Sequence, residues 1–339
     1  MEITELMAAP GVQRDLAWLK DALQAAIELE FFTIPPYLTA MWSVEDPSHP
    51  AAAAIRAVVY EEMQHMALAC NMLVAVGGAP QINYGTAVPR YPAAMPGGVK
   101  PELRVGLGGL TPESVQIFMD IEAPETPLEF PDGFETIGVD ETFPRIGAFY
   151  DAIRDTFDAL SPKISVDRQL TGPLAPMVVA TIDDVRKAIH VICVQGEGTD
   201  VDPAAVSPRE LAHYYRFQEL DRGCRLEYSE ARKAYAWGPP KSFPFPKAYP
   251  VAPIPPGGYR YDRVSGPVAA DLEEFDRAYT RMLDELQAAW GAKGQAALWR
   301  AVEWMFALEK PARSLMQRPI PNTKPPKNYG PNFRYLGGV

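Results

Sequence analysis

The chain has 339 residues, 47% of them hydrophobic, and a formal net charge of -11. That length suits one large domain or two small ones with a sizeable core, and the acidic balance without any basic cluster excludes a nucleic-acid surface. No charged-then-apolar leader opens the chain, no apolar run is long enough to span a bilayer, and the widely spaced Cys70, Cys193 and Cys224 read as reduced thiols, so a cytoplasmic protein without a membrane partner is expected.

Apolar periodicity predicts helices at about 12–43, 50–77, 111–122, 144–160, 182–198, 207–236, 268–290 and 295–317. In the first, Leu16, Leu19, Leu23, Ile27, Glu30 and Ile34 form an apolar stripe interrupted by one acid. Pro35-Pro36, one turn later, is expected to kink or locally open that helix. In the second, Ile55, Val58, Glu62, His65, Ala69, Met72 and Val76 repeat the pattern, with Glu62 and His65 on one face. The break from Trp42 to Pro50 suits an antiparallel hairpin that brings Glu30 level with Glu62 and His65. A lone buried carboxylate is costly unless paired, protonated or bound to metal. Inward acids beside an imidazole therefore point to a divalent cation.

Residues 78–110 are rich in Gly and Pro and are expected to be irregular, with a short hairpin near Val99 to Leu107. Residues 123–143 and 161–181 are also irregular, and loops this long usually cover or shape a pocket. Glu122 tops the stripe Val115, Phe118, Met119. Glu197 shares a face with His190 and Cys193 at the end of the fifth helix. Glu210 and His213 make a second Glu-x-x-His at the head of the stripe Phe217, Leu220, Cys224. Plainer readings stand beside these. Glu210 would serve the helix dipole in a first turn, Glu122 would be a cap or ion-pair partner, and His190 a core histidine. Glu219 would pair with an arginine. His49, Glu28 and Glu61 would face solvent. Tyr37, Tyr60, Tyr214 and Tyr215 would pack in the core or donate hydrogen bonds to metal ligands. The block Gly238 to Pro267 holds nine prolines among aromatics and reads as an extended strap packed on the surface.

Two Glu-x-x-His pairs, each preceded by a helix with a lone acid, match the carboxylate-bridged two-metal arrangement of helical bundles. The candidate ligands are Glu30, Glu62, His65, Glu122, Glu197, Glu210 and His213. They would hold two divalent ions, with iron expected and manganese or zinc open.

The runs from Glu28 to Tyr37 (ELEFFTIPPY), Glu61 to Leu68 (EEMQHMAL), Gly77-Gly78 with Pro80, Gly196 to Gly198 and His213 to Phe217 (HYYRF) resemble a known family. It is the ferritin-like domain of the iminophenyl-pyruvate dimer synthase type, found in violacein and indolocarbazole pigment enzymes and in free-standing bacterial proteins. The resemblance implies ligand roles for Glu30, Glu62, His65, Glu197 and His213. The pigment enzymes oxidatively couple two imines derived from aromatic amino acids; this chain is similar to the shorter, free-standing kind.

The expectation is thus an all-α protein. A ferritin-like four-helix bundle core with long loop insertions would occupy residues 1–236. A Pro-rich strap and two extra C-terminal helices, residues 237–339, would pack on the same domain. Its function would be that of a di-metal carboxylate oxidoreductase using O2 on a small-molecule substrate, in secondary metabolism. A metal-stabilised partner domain and an iron-handling protein are the alternatives. A homodimer is left open.

Overall fold

A computed structural model describes residues 2–85, 87–124, 146–196, 210–229 and 234–337. It is mostly helical. Two long helices, α2 (Leu16–Ser43) and α3 (Pro50–Ala75), follow a short α1 (Ile3–Ala8) and pack along each other. Asp15 caps α2 by accepting the Trp18 N–H at 2.9 Å. Pro50 opens α3 at a position where its missing N–H costs nothing, and His49 caps it through Nδ1 to the Ala51 N–H. Across the pair, Thr33 meets Glu62 and Glu30 meets His65, the register of antiparallel neighbours.

From Leu29 to Ser43 every residue of α2 is buried. A helix apolar all round belongs at the centre of a fold. α2 runs through Pro35-Pro36 without a break. Pro36 cannot donate to the Phe32 carbonyl, and the Tyr91 hydroxyl does so instead, at 2.6 Å. Tyr91→Phe should therefore leave a buried carbonyl without a partner and cost ~1–3 kcal/mol, read by chemical denaturation. An unchanged midpoint would mean that the freed carbonyl finds another donor.

The second half of the bundle comes in pieces. α4 (Pro112–Glu122) packs on α7 (His213–Arg222), and α5 (Ile146–Leu160) packs on α6 (Ile182–Gly196). α5 lies against α2, while α6 and α7 lie against α3. The helix expected over 207–236 is corrected. Gly223, at φ +64°, ends α7 in a left-handed cap. Strands β1 (Leu226–Ser229) and β2 (Ala234–Trp237) then pair antiparallel. The hairpin expected near Val99 to Leu107 is absent too. A lone bridge joins Ala93 to Val105, and Gly97 turns the chain at φ +77°. A side chain at Gly97 would collide with Ile3 of α1 at 2.4 Å.

The strap buries Phe243, Val251 and Ile254. It is tied to the end of α2 by Glu45 N–H to the Lys247 carbonyl (3.0 Å) and Tyr249 N–H to the Ser43 carbonyl (2.8 Å). α8 (Gly266–Ala289) and α9 (Gly294–Met316) form a closely packed pair. Arg313 of α9 donates to the carbonyls of Trp42, Val44 and Glu45, which the helix end leaves unpaired. Phe275 and Tyr279 of α8 join the bundle's apolar core. Among the described residues, no helix is long and apolar enough to cross a membrane.

Candidate metal centre

Five polar side chains from four helices meet inside the bundle. Glu30 comes from α2, Glu62 and His65 from α3, Glu122 from the last residue of α4, and His213 from the first of α7. All are buried. Ligand atoms of Glu30, Glu62 and His65 lie within 4.8 Å of one another, and so do those of Glu62, Glu122 and His213. Glu62 belongs to both groups. His65 Nδ1 is 3.5 Å from Glu30 and 3.8 Å from Glu62. His213 Nδ1 is 2.8 Å from Glu62 and 3.6 Å from Glu122. The two rings stack at 5.5 Å between centroids.

Each ring turns its other nitrogen outward to a fixed partner. His213 Nε2 is 2.9 Å from Glu61 Oε2, whose other oxygen meets Arg216 Nη1 at 2.9 Å. Paired with Arg216, Glu61 is an acceptor, so His213 Nε2 carries a proton and Nδ1 is the ring atom turned to the cluster. His65 Nε2 is 2.8 Å from Gln195 Oε1 in the same manner. The carboxylates are held as well. Tyr37 donates to Glu122 at 2.6 Å, Thr33 to Glu62 at 2.8 Å, and Tyr150 to Glu30. Burial, then the nearby carboxylates, raise both tyrosines well above the usual phenol range, so they stay O–H donors.

Three carboxylates in one buried space need positive charge. Burial and then the Glu122 charge push Glu62 up to about 7. Burial opposes charging His213, but Glu122, Glu61 and Glu62 hold its pKa well above the ordinary value. Burial opposes charging His65 too, and Glu30 and Glu62 outweigh it. Protonated rings and a bound cation are alternative sources of the same charge. One atom favours the cation: His213 Nδ1 is buried and makes no hydrogen bond despite its short approach to Glu62. An orphaned imidazole nitrogen among carboxylate oxygens is a donor set suited to a divalent ion. These groups could hold a metal ion.

A cavity of about 40 Å³ reaches the cluster, walled by Leu29, Met95, Ile121, Ile146 and Ile192. It admits water-sized species.

The remaining sequence candidates fall elsewhere. Glu210 is corrected: its side chain is 41% exposed and lies 3.9 Å from Arg216. α7 begins only at His213, so no helical face joins the two. Glu197 lies outside the described residues; Gly196 before it lines the cavity. His190 is exposed, neither ligand nor core. Glu219 pairs with Arg225 at 2.8 Å. Tyr60 is 40% exposed and donates to the Pro173 carbonyl. Glu61, expected in solvent, is buried. Sequence reasoning missed it along with Tyr150, Gln195 and Thr33.

The fold and this cluster define a helical-bundle protein with a carboxylate–histidine core. Residues 23–222 match the family model described as ferritin-like, and the chain belongs to that family. A solved structure similar to it is a ferritin-like protein from Caulobacter vibrioides, 23% identical, with a TM-score of 0.64 over 94% of this chain and 97% of the other. No curated protein matches.

Proposed function

We propose that Glu30, Glu62, His65, Glu122 and His213 hold two divalent metal ions, with iron the expected metal. The protein would then be an O2-dependent oxidoreductase acting on a small organic molecule in secondary metabolism. The observation that carries this reading is Glu62, shared between two carboxylate–histidine groups, with the unbonded His213 Nδ1 facing it. A bound iron pair would supply dioxygen activation there. The chain's own residues do the rest. Tyr37, Thr33 and Tyr150 orient the carboxylates, Glu61 and Gln195 fix the rings, and the apolar wall limits water. The open cavity favours an enzyme over a closed structural site. On the motifs noted in the sequence, the proposal extends to the iminophenyl-pyruvate dimer synthase branch, without its coupling reaction. Cys70 and Cys224 are not in disulfides, which supports a cytoplasmic setting.

Anaerobic loading with Fe(II), metal analysis, and then exposure to O2 test the reading. Uptake that saturates near two ions per chain, followed by O2 consumption, is expected. Uptake far beyond two would indicate iron storage, and no uptake would end the proposal. A pH dependence follows. An entering ion must displace protons from Glu62 and from two histidines with raised pKa values. Apparent affinity should weaken as pH falls from about 8 to about 6, by roughly tenfold per unit for each proton displaced. Proton release during Mn(II) titration in weak buffer measures this. Affinity that stays flat over that window would contradict it.

A further inference from the structure

A second cavity, of about 60 Å³, lies where the α8–α9 pair packs on α2 and α3. Its lining side chains are all aliphatic, aromatic or thioether. Phe31 and Ile34 come from α2, Trp290 from the end of α8, and Met63, Met66, Met282 and Met305 from α3, α8 and α9. The Trp290 N–H donates to Asn71 Oδ1 at 2.9 Å, so the indole offers the cavity its ring and no hydrogen bond. The cavity is level with the carboxylate–histidine cluster. Phe31 follows Glu30, Met63 follows Glu62, and Met66 follows His65. One residue turns a helix by about 100°, which carries these side chains away from the cluster and toward α8 and α9.

A void is a standing cost to a fold, because its lining atoms lack contacts on one side. Methionines are the side chains best able to close one, yet four of them line this cavity and leave it open. An apolar cavity of about 150 Å³ stays dry and takes benzene or xenon; at about 60 Å³ this one suits a smaller guest. The geometry points to a second ligand site, separate from the cluster, for a nonpolar molecule of a few heavy atoms with no hydrogen-bonding group. Dissolved dioxygen and a short hydrocarbon share that chemistry. Met63, Met282 and Met305 are half-buried and form the mouth, while Met66 is buried inside. The site stands whether or not the cluster holds metal.

The test is NMR of the full chain, carrying 13C on its methionine methyls, under rising xenon pressure. The signals of Met63, Met66, Met282 and Met305 should shift and saturate, while those of Met72 and Met316, buried elsewhere, stay in place. Ala301→Leu fills the cavity from the α9 side and should abolish the response. If circular dichroism shows that this variant does not fold, Val302→Phe, which narrows the cavity from the same helix, takes its place. Two further arms identify the guest. Dioxygen, being paramagnetic, should relax the Met66 methyl more than those of Met72 and Met316, and xenon should reverse the effect by competition. Propane that displaces xenon where dioxygen does not would assign the site to a hydrocarbon. Small shifts shared by all the methyls without saturation, a full xenon response in the filled variant, or xenon that neither dioxygen nor propane displaces would each overturn the site. None of these results depends on metal uptake, so failure here and failure of the two-metal reading are told apart.

Discussion

Glu62→Ala should abolish stoichiometric metal binding while leaving the helical fold in place. Glu62 alone belongs to both carboxylate–histidine groups. Its Oε1 lies 2.8 Å from His213 Nδ1 and 3.8 Å from His65 Nδ1. Removing it takes a ligand from both positions at once. The loss should exceed about 100-fold in affinity, the upper end of what an outer partner's removal costs. His65→Ala removes a ligand from one position only. The fold should tolerate the change. Burial and Glu122 push the Glu62 carboxyl up to about 7, so at neutral pH its ionisation is opposed by its surroundings. Removing a carboxyl whose charge is opposed by burial and by Glu122 and Glu30 relieves repulsion among the three acids, so the change costs little where the neighbours keep partners. Here Glu30 keeps Tyr150 and Glu122 keeps Tyr37; Thr33 keeps the Glu30 carbonyl at 2.9 Å. Metal analysis beside thermal melting separates the two effects. A Glu62→Ala protein that still takes up two ions would sink the shared-ligand arrangement. One that unfolds would show that the carboxylate is structural.

The first half of this site was legible because its polar residues break apolar stripes. Glu30 stands where Ile27 and Ile34 predict a greasy side chain, and Glu62 with His65 interrupts the run from Ile55 to Met72. Nothing but a partner inside the bundle explains such positions. Gln195 carries a weaker form of the same signal, an amide following Val185, Ala188 and Ile192 on the buried side of α6. Glu61 carries none. It lies one residue from Glu62, turned to a flank of α3 that becomes interior only when α7 packs there. Its burial is a tertiary fact. Glu210 misled for the opposite reason. Glu-x-x-His spacing joins two side chains only on a formed helix, and α7 starts at His213. The segment after Gly223 misled because a glycine near a helix end can be a cap or an interior residue. The φ of +64° decides it, and sequence does not print φ.

Arg216→Met should be the most destabilising single change near the site. Arg216 and Glu61 are both buried, with side chains 10% and 8% exposed, and their charges meet at 2.9 Å. Arg216 also donates through Nε to the Leu211 carbonyl, which fixes the approach to α7. Without the guanidinium, Glu61 is left as a buried anion with only His213 beside it. Breaking a buried pair from one side costs ~3–5 kcal/mol. The double variant Glu61→Gln/Arg216→Met removes both charges and keeps an acceptor for His213 Nε2. It should recover ~1–3 kcal/mol of that loss, the coupling expected of contacting residues. The pH dependence has a definite sign. Burial works to raise the Glu61 carboxyl, but His213 and Arg216 outweigh it and hold it below its usual value of 4.5. A depressed carboxylate contributes stability above its unfolded pKa and loses it as pH falls through the folded one. The gap between the unaltered protein and Arg216→Met should therefore be full above about pH 5 and shrink in more acidic solution. Denaturant midpoints at several pH values measure it. A gap that stays constant into acid, or a double variant no more stable than the single one, would show that Arg216 acts through packing, with no part played by the Glu61 charge.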